Sequence, residues 1–105
     1  MSVVESVLRE EAQRLRSNIE FYEDSLAKLP RGTIFIRKST SGNYVYRKRK
    51  ENGSVVCVYL GKESQENVKQ EMALSEDYKR IHNNLLIAKK ELRKLEKALK
   101  SYERK

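Results

Sequence analysis

The stretch Gly32–Gly61, GTIFIRKSTSGNYVYRKRKENGSVVCVYLG, decides the fold. Thr33-Ile34-Phe35-Ile36-Arg37 is dense in β-branched and aromatic residues, as strands are. Ser39-Thr40-Ser41-Gly42-Asn43 is a turn cluster, and Tyr44-Val45-Tyr46-Arg47-Lys48-Arg49 reads as a second strand. Asn52-Gly53 is a hairpin signal, since both residues tolerate the positive φ of a type I′ turn. A third strand runs from Ser54 to Leu60, and Gly61 ends it. A two-residue turn at Asn52-Gly53 sets Lys48 opposite Cys57, Tyr46 opposite Tyr59 and Val45 opposite Leu60.

The flanks read as helix. Before the sheet, Leu8, Ala12, Leu15, Ile19, Tyr22, Leu26 and Leu29 alternate steps of four and three, the spacing of one helix stripe. Ser2 is a candidate N-cap with Glu5 three residues on, and Pro30 stops the helix. After the sheet, Ser64 is a candidate N-cap, and Tyr78, Ile81, Leu85, Ala88, Leu92, Leu95, Leu99 and Tyr102 form a second stripe. The stripes match in antiparallel order: Leu29 with Tyr78, Leu26 with Ile81, Tyr22 with Leu85, Ile19 with Ala88, Leu15 with Leu92, Ala12 with Leu95, Leu8 with Leu99. Each pair of residue numbers adds to the same total, as a fixed antiparallel register requires. That register suggests flanking pairs Glu10–Lys97 and Arg16–Glu91. Val68, Met72 and Leu74 are left to lie against the sheet.

The expected fold is therefore α+β, in one domain of 105 residues. It has an N-terminal helix over 1–29, a three-stranded antiparallel β-sheet over 32–61 and a long C-terminal helix over 65–103. The two helices form an antiparallel coiled-coil-like hairpin with the sheet at its head. The same seams also suit self-association, so a monomer or a homodimer through the helices is expected.

Charge is concentrated in the sheet. The chain carries 23 Lys+Arg against 15 Asp+Glu, a net +8. Residues 31–62 hold eight basic side chains and one acidic one. Such a balance favours an anionic partner. Alternation places Val45, Arg47 and Arg49 on one face of the middle strand and Tyr44, Tyr46, Lys48 and Lys50 on the other. If Val45, Val56, Val58, Leu60 and Phe35 face the helices, the open face carries Tyr44, Tyr46, Tyr59, Lys48 and Lys50. If the tyrosines are buried with Ile34 and Ile36, the open face carries Arg37, Arg47 and Arg49. Solvated lysines that discourage edge pairing are the bland account of either face. A second basic run, Lys89, Lys90, Arg93, Lys94, Lys97, Lys100, Arg104 and Lys105, fits the helix dipole and the acidic start of the first helix.

Chemistry of the catalytic kind is missing from the pattern. His82 stands alone beside Ile81 and reads as structural; Cys57 stands alone on a strand without zinc-site spacing. No phosphate-binding glycine motif occurs, and Glu10–Glu11 and Glu76–Asp77 read as solvated helix surface. The expectation is a protein that is not an enzyme, with no cofactor and no metal. A single cysteine, an acidic N-terminus unlike a signal peptide and no long apolar run point to a cytoplasmic protein that avoids membranes.

The pattern LPRGTI at 29–34, GNYVYR at 42–47, ENGSV at 51–55 and YLGK at 59–62 resembles a group of small, uncharacterised prokaryotic helix–sheet–helix proteins. The sheet, GTIFIRK with GNYVYR, is also similar to the three-stranded arm-binding domains of phage-type tyrosine integrases. That likeness implies DNA contact through the sheet. The expected function is a non-enzymatic nucleic-acid-binding module, with DNA preferred over RNA. Arg47, Lys48, Arg49 and Lys50 would meet phosphates, Arg37 and Lys38 would assist, and Tyr44, Tyr46 and Tyr59 would stack or pack. The alternative is a protein-interaction module docking on an acidic protein surface. An inhibitor of a nucleic-acid-processing enzyme, such as an anti-CRISPR protein from a phage or mobile element, is one example.

Overall fold

Ser2 opens the first helix: its hydroxyl accepts the Glu5 N–H at 3.0 Å, and its carbonyl accepts the Ser6 N–H at 3.1 Å. The computed structural model describes residues 2–103. From Ser2 the helix α1 runs over Val3–Ala27. It stops two residues short of the expected end. Lys28 N–H turns to the Ser25 carbonyl at 3.2 Å, tightening the last turn before Leu29, which Pro30 bars from helical geometry. Three strands follow, β1 (Thr33–Ser39), β2 (Gly42–Glu51) and β3 (Ser54–Lys62), and then α2 (Glu66–Glu103). Gln65 rather than Ser64 stands at the α2 N-cap position, because its carbonyl accepts the first helical bond, from Lys69 N–H at 3.1 Å. Replacing Ser2 by alanine removes one cap bond and is expected to cost roughly 0.5–1 kcal/mol. Thermal melts followed by circular dichroism at 222 nm will read it.

The chain forms two units: residues up to Lys28 with those from Arg80 on, and Leu29–Lys79. In the first, α1 and the later part of α2 are in contact. Ala12, Leu15, Leu85, Ala88 and Leu99, all seam positions, are buried. The bridges Arg9–Glu103 at 3.4 Å and Arg16–Glu96 at 3.9 Å run antiparallel. They replace the expected Glu10–Lys97 and Arg16–Glu91 pairs, and the heptad explains why. Written with Ala12 as a, Glu10 and Lys97 are both f positions, pointing away from the seam. Arg16 is e and Glu91 is g, on opposite flanks. Arg9, Arg16, Glu96 and Glu103 are all e. An e residue follows a by four and d by one. An e–e′ pair therefore totals five more than the seam pairs, and both observed bridges have that total. Each is half exposed and contributes little alone. Glu11 is bound by Arg14 one turn on, whose hydrogen bond holds its carboxyl below the usual range.

In the second unit the sheet has strand order β1-β2-β3, antiparallel throughout. The turn cluster shrinks to Thr40-Ser41, because Ser39 already pairs with Gly42. Asn52 and Gly53 have φ of 50° and 83°, as a type I′ turn needs. Lys48 lies opposite Cys57 and Tyr46 opposite Tyr59, as expected. Val45 does not lie opposite Leu60. A bulge between Val45 and Tyr46 makes Leu60 the extra residue, so Val45 pairs with Gly61 and Tyr44 with Lys62. The third strand thus continues through Gly61.

The opening turns of α2 cover one face of this sheet. Val45 and Val68 are 0% exposed, and Ser75, two turns further, is buried with them. Met72 and Leu74 are half-buried. Gly61 sits beneath the helix with its backbone so close that a Cβ would lie 2.8 Å from Val68 Cγ2.

Candidate functional site

Residues paired across a sheet share a face, so the register assigns every side chain. The covered face takes Ile34 and Ile36 from β1, Val45, Arg47 and Arg49 from β2, and Val56 and Val58 from β3. The open face takes Thr33, Phe35 and Arg37, then Tyr44, Tyr46, Lys48 and Lys50, then Val55, Cys57, Tyr59 and Lys62. Val45 is inward and the tyrosines outward, the first of the two arrangements read from the sequence. Its β1 assignments are corrected: Phe35 is outward, and Arg37 joins the tyrosines instead of Arg47 and Arg49. The short Thr40-Ser41 loop causes this by pairing Arg37 with Tyr44.

Six of the nine expected residues meet on the open face: Arg37, Tyr44, Tyr46, Lys48, Lys50 and Tyr59. Three do not. Lys38 pairs with Asn43 and lies, exposed, on the opposite side. Arg49 lies there too and binds Glu51 at 2.7 Å. Arg47 is 8% exposed, and its Nη2 donates to Glu71 of α2 at 2.8 Å. Its Nε is buried with no hydrogen-bond partner among the described residues. A guanidinium held this way serves the core and is withdrawn from phosphate contact.

Two open-face residues escaped the sequence reading. Phe35 stacks on Tyr46 with ring centroids 5.2 Å apart and planes 11° apart. Lys62 Nζ stands 5.9 Å from the Tyr44 ring centroid. The ring cluster continues across the sheet, with Tyr46–Tyr59 at 5.3 Å and Tyr44–Tyr59 at 6.3 Å. Arg37 lies over Tyr46 at 5.6 Å, and the Tyr44 hydroxyl bonds Ser41 Oγ at 2.7 Å. Tyr59 is 53% exposed and keeps the most ring surface for a ligand. Gly61, directly after the apolar run Val55–Leu60, was the available signal for the bulge that brings Lys62 round.

The result is an aromatic ridge spanning three strands, with Arg37 and Lys62 at one end and Lys48 and Lys50 at the other. Among the described residues no carboxylate lies on this face. A family model described as a domain of unknown function (DUF6788) matches residues 4–70. The chain belongs to the DUF6788 family. The matched span contains α1 from its second residue, the whole sheet and the first turn of α2, so the open face lies wholly within the family's domain. Neither the curated proteins nor the solved structures yield a match. No helix among the described residues is long and apolar enough to cross a membrane. Among those residues no three His, Cys, Asp or Glu side chains gather as a metal site would need. Cys57 and His82 are both exposed, the first on the open sheet face and the second on α2.

Proposed function

We propose that the protein is a non-enzymatic nucleic-acid-binding module that works through the open sheet face. The observation that carries this reading is the aromatic ridge flanked by Arg37, Lys48, Lys50 and Lys62 with no carboxylate beside it. Edge protection accounts poorly for Lys48 and Lys50, because both sit on the central strand. Cations neutralise phosphates, while the ridge offers rings and hydroxyl edges to bases and sugars. Phe35 and Tyr46 occupy each other's faces, so they form a rigid platform and leave Tyr59 as the stacking ring. The likeness of the sheet to integrase arm-binding domains supports DNA over RNA.

Fluorescence anisotropy with single- and double-stranded DNA and RNA over a salt series tests the proposal. Affinity is expected to fall steeply with salt. Lys48→Gln/Lys50→Gln/Lys62→Gln should flatten the log–log slope by about 0.9 per lost phosphate contact on duplex. Tyr59→Ala should weaken binding roughly tenfold or more, the effect of one lost base stack. A flat salt dependence, or variants that bind as the parent does, would remove the reading. Stoichiometric capture of one protein without affinity for nucleic acid would favour the protein-interaction alternative.

A further inference from the structure

The basic run of α2 has a bland explanation at sequence level, and the structure removes most of it. Within Lys90–Lys100, Lys90 and Lys97 are heptad f positions, Arg93 and Lys100 are b, and Lys94 is c. All five are exposed; Lys90, Arg93, Lys97 and Lys100 are turned from the seam with α1, and Lys94 borders a groove it shares with Glu11 and Glu91. None of them makes an ion pair among the described residues. The nearby carboxylates occupy the flanks instead: Glu96 and Glu103 are held by Arg16 and Arg9, and Glu91 is a g residue. The helix dipole acts within the last turn, where Lys100 alone of the five stands. The face therefore carries five cations without an ion pair along about 15 Å of rigid helix, and only Lys94 has carboxylates, Glu11 and Glu91, beside it.

We infer that this face is a second nucleic-acid contact, in which Lys90, Arg93, Lys94, Lys97 and Lys100 neutralise backbone phosphates of a duplex without reading sequence. Charge complementarity selects the occupant. A duplex presents about one negative charge per 1.7 Å, a fixed polyanion for a fixed row of cations. A bilayer surface suits it less. A helix lying on lipid buries an apolar face, and the apolar stripe of α2 is taken by α1. The exposed Leu86 and Ile87 upstream amount to a single aliphatic pair. The inference does not rest on the sheet reading, since these residues belong to the other unit.

The test is anisotropy of a labelled duplex about two turns long, from about 50 to 200 mM salt. The protein carries Lys90→Gln, Arg93→Gln, Lys94→Gln, Lys97→Gln and Lys100→Gln together. Glutamine is a good helix former, and circular dichroism will verify the fold. The expected result is a log–log slope reduced by about 3–4 and a loss of roughly a thousandfold or more at the lowest salt that shrinks as salt rises. A charge-preserving set, with each Lys changed to Arg and Arg93→Lys, should bind as the parent does. An unchanged slope, equal loss in the charge-preserving set, or no duplex binding by the parent overturns the inference. So does loss of binding to phosphatidylserine vesicles while duplex binding stays intact. Loss of binding in the stripe variant with none in the sheet variant sustains this inference and rejects the sheet reading. The reverse result does the opposite.

Discussion

Glu71→Ala is expected to destabilise the sheet unit by roughly 2–4 kcal/mol, and Arg47→Met is expected to stay within about 1 kcal/mol of the parent. The asymmetry comes from burial. The Arg47 side chain is 9% exposed and that of Glu71 is 36% exposed. Removing Glu71 leaves a buried guanidinium whose Nη2 loses its partner and whose Nε already has none. Removing Arg47 in favour of an unbranched apolar side chain leaves a carboxylate that water reaches, and fills the space beside Val45. Urea denaturation of both variants, followed by circular dichroism, checks the order. If Glu71→Ala is the milder change, solvent reaches the guanidinium and the pair is not a core element. Because Arg47 faces away from the ridge, Arg47→Met should also leave nucleic-acid affinity unchanged.

Gly61→Ala is expected to cost roughly 2–4 kcal/mol, and Gly42→Ala clearly less. Both glycines have φ of 138°, so both substitutions carry backbone strain. A Cβ at Gly42 meets nothing within 4 Å, whereas one at Gly61 collides with Gln65 Oε1 and lies 2.8 Å from Val68 Cγ2. The glutamine can swing aside, at the loss of its bond from Lys62 N–H. Val68 is fully buried and has nowhere to go. The difference between the two variants in denaturant midpoint therefore isolates the contact between β3 and α2. Equal costs would show that strain alone governs both sites.

These two sites also mark where reading the chain stopped short. The helical stripes, the stop at Pro30, the Asn52-Gly53 turn and the pairing of Lys48 with Cys57 and Tyr46 with Tyr59 were legible, because each depends on residues near in sequence or on a strict period. The seam register was legible too, and the e–e′ bridges carry the offset it implies. The flanking ion pairs were not legible from the register alone, because heptad position decides which way each side chain points. On the candidate site, Tyr44, Tyr46, Tyr59, Lys48 and Lys50 were placed together correctly by alternation along two strands joined by a turn of known length. Arg37, Phe35 and Lys62 were not, since their side depends on how their strands are phased against β2.

From the sequence alone, then, come the element order, the antiparallel hairpin of helices, the β2–β3 hairpin and the concentration of charge in the sheet. Periodicity and turn chemistry are local, and local rules suffice for them. The tertiary structure decided which cations are available. A two-residue loop at Thr40-Ser41 brought Arg37 and Phe35 to the tyrosines. One bulge at Leu60 turned Gly61 under α2 and Lys62 out to Tyr44. Burial against α2 then took Arg47 out of the surface set. In a strand a shift of one residue reverses every side chain beyond it, and that shift is settled here by the length of one loop and by one bulge packed under α2.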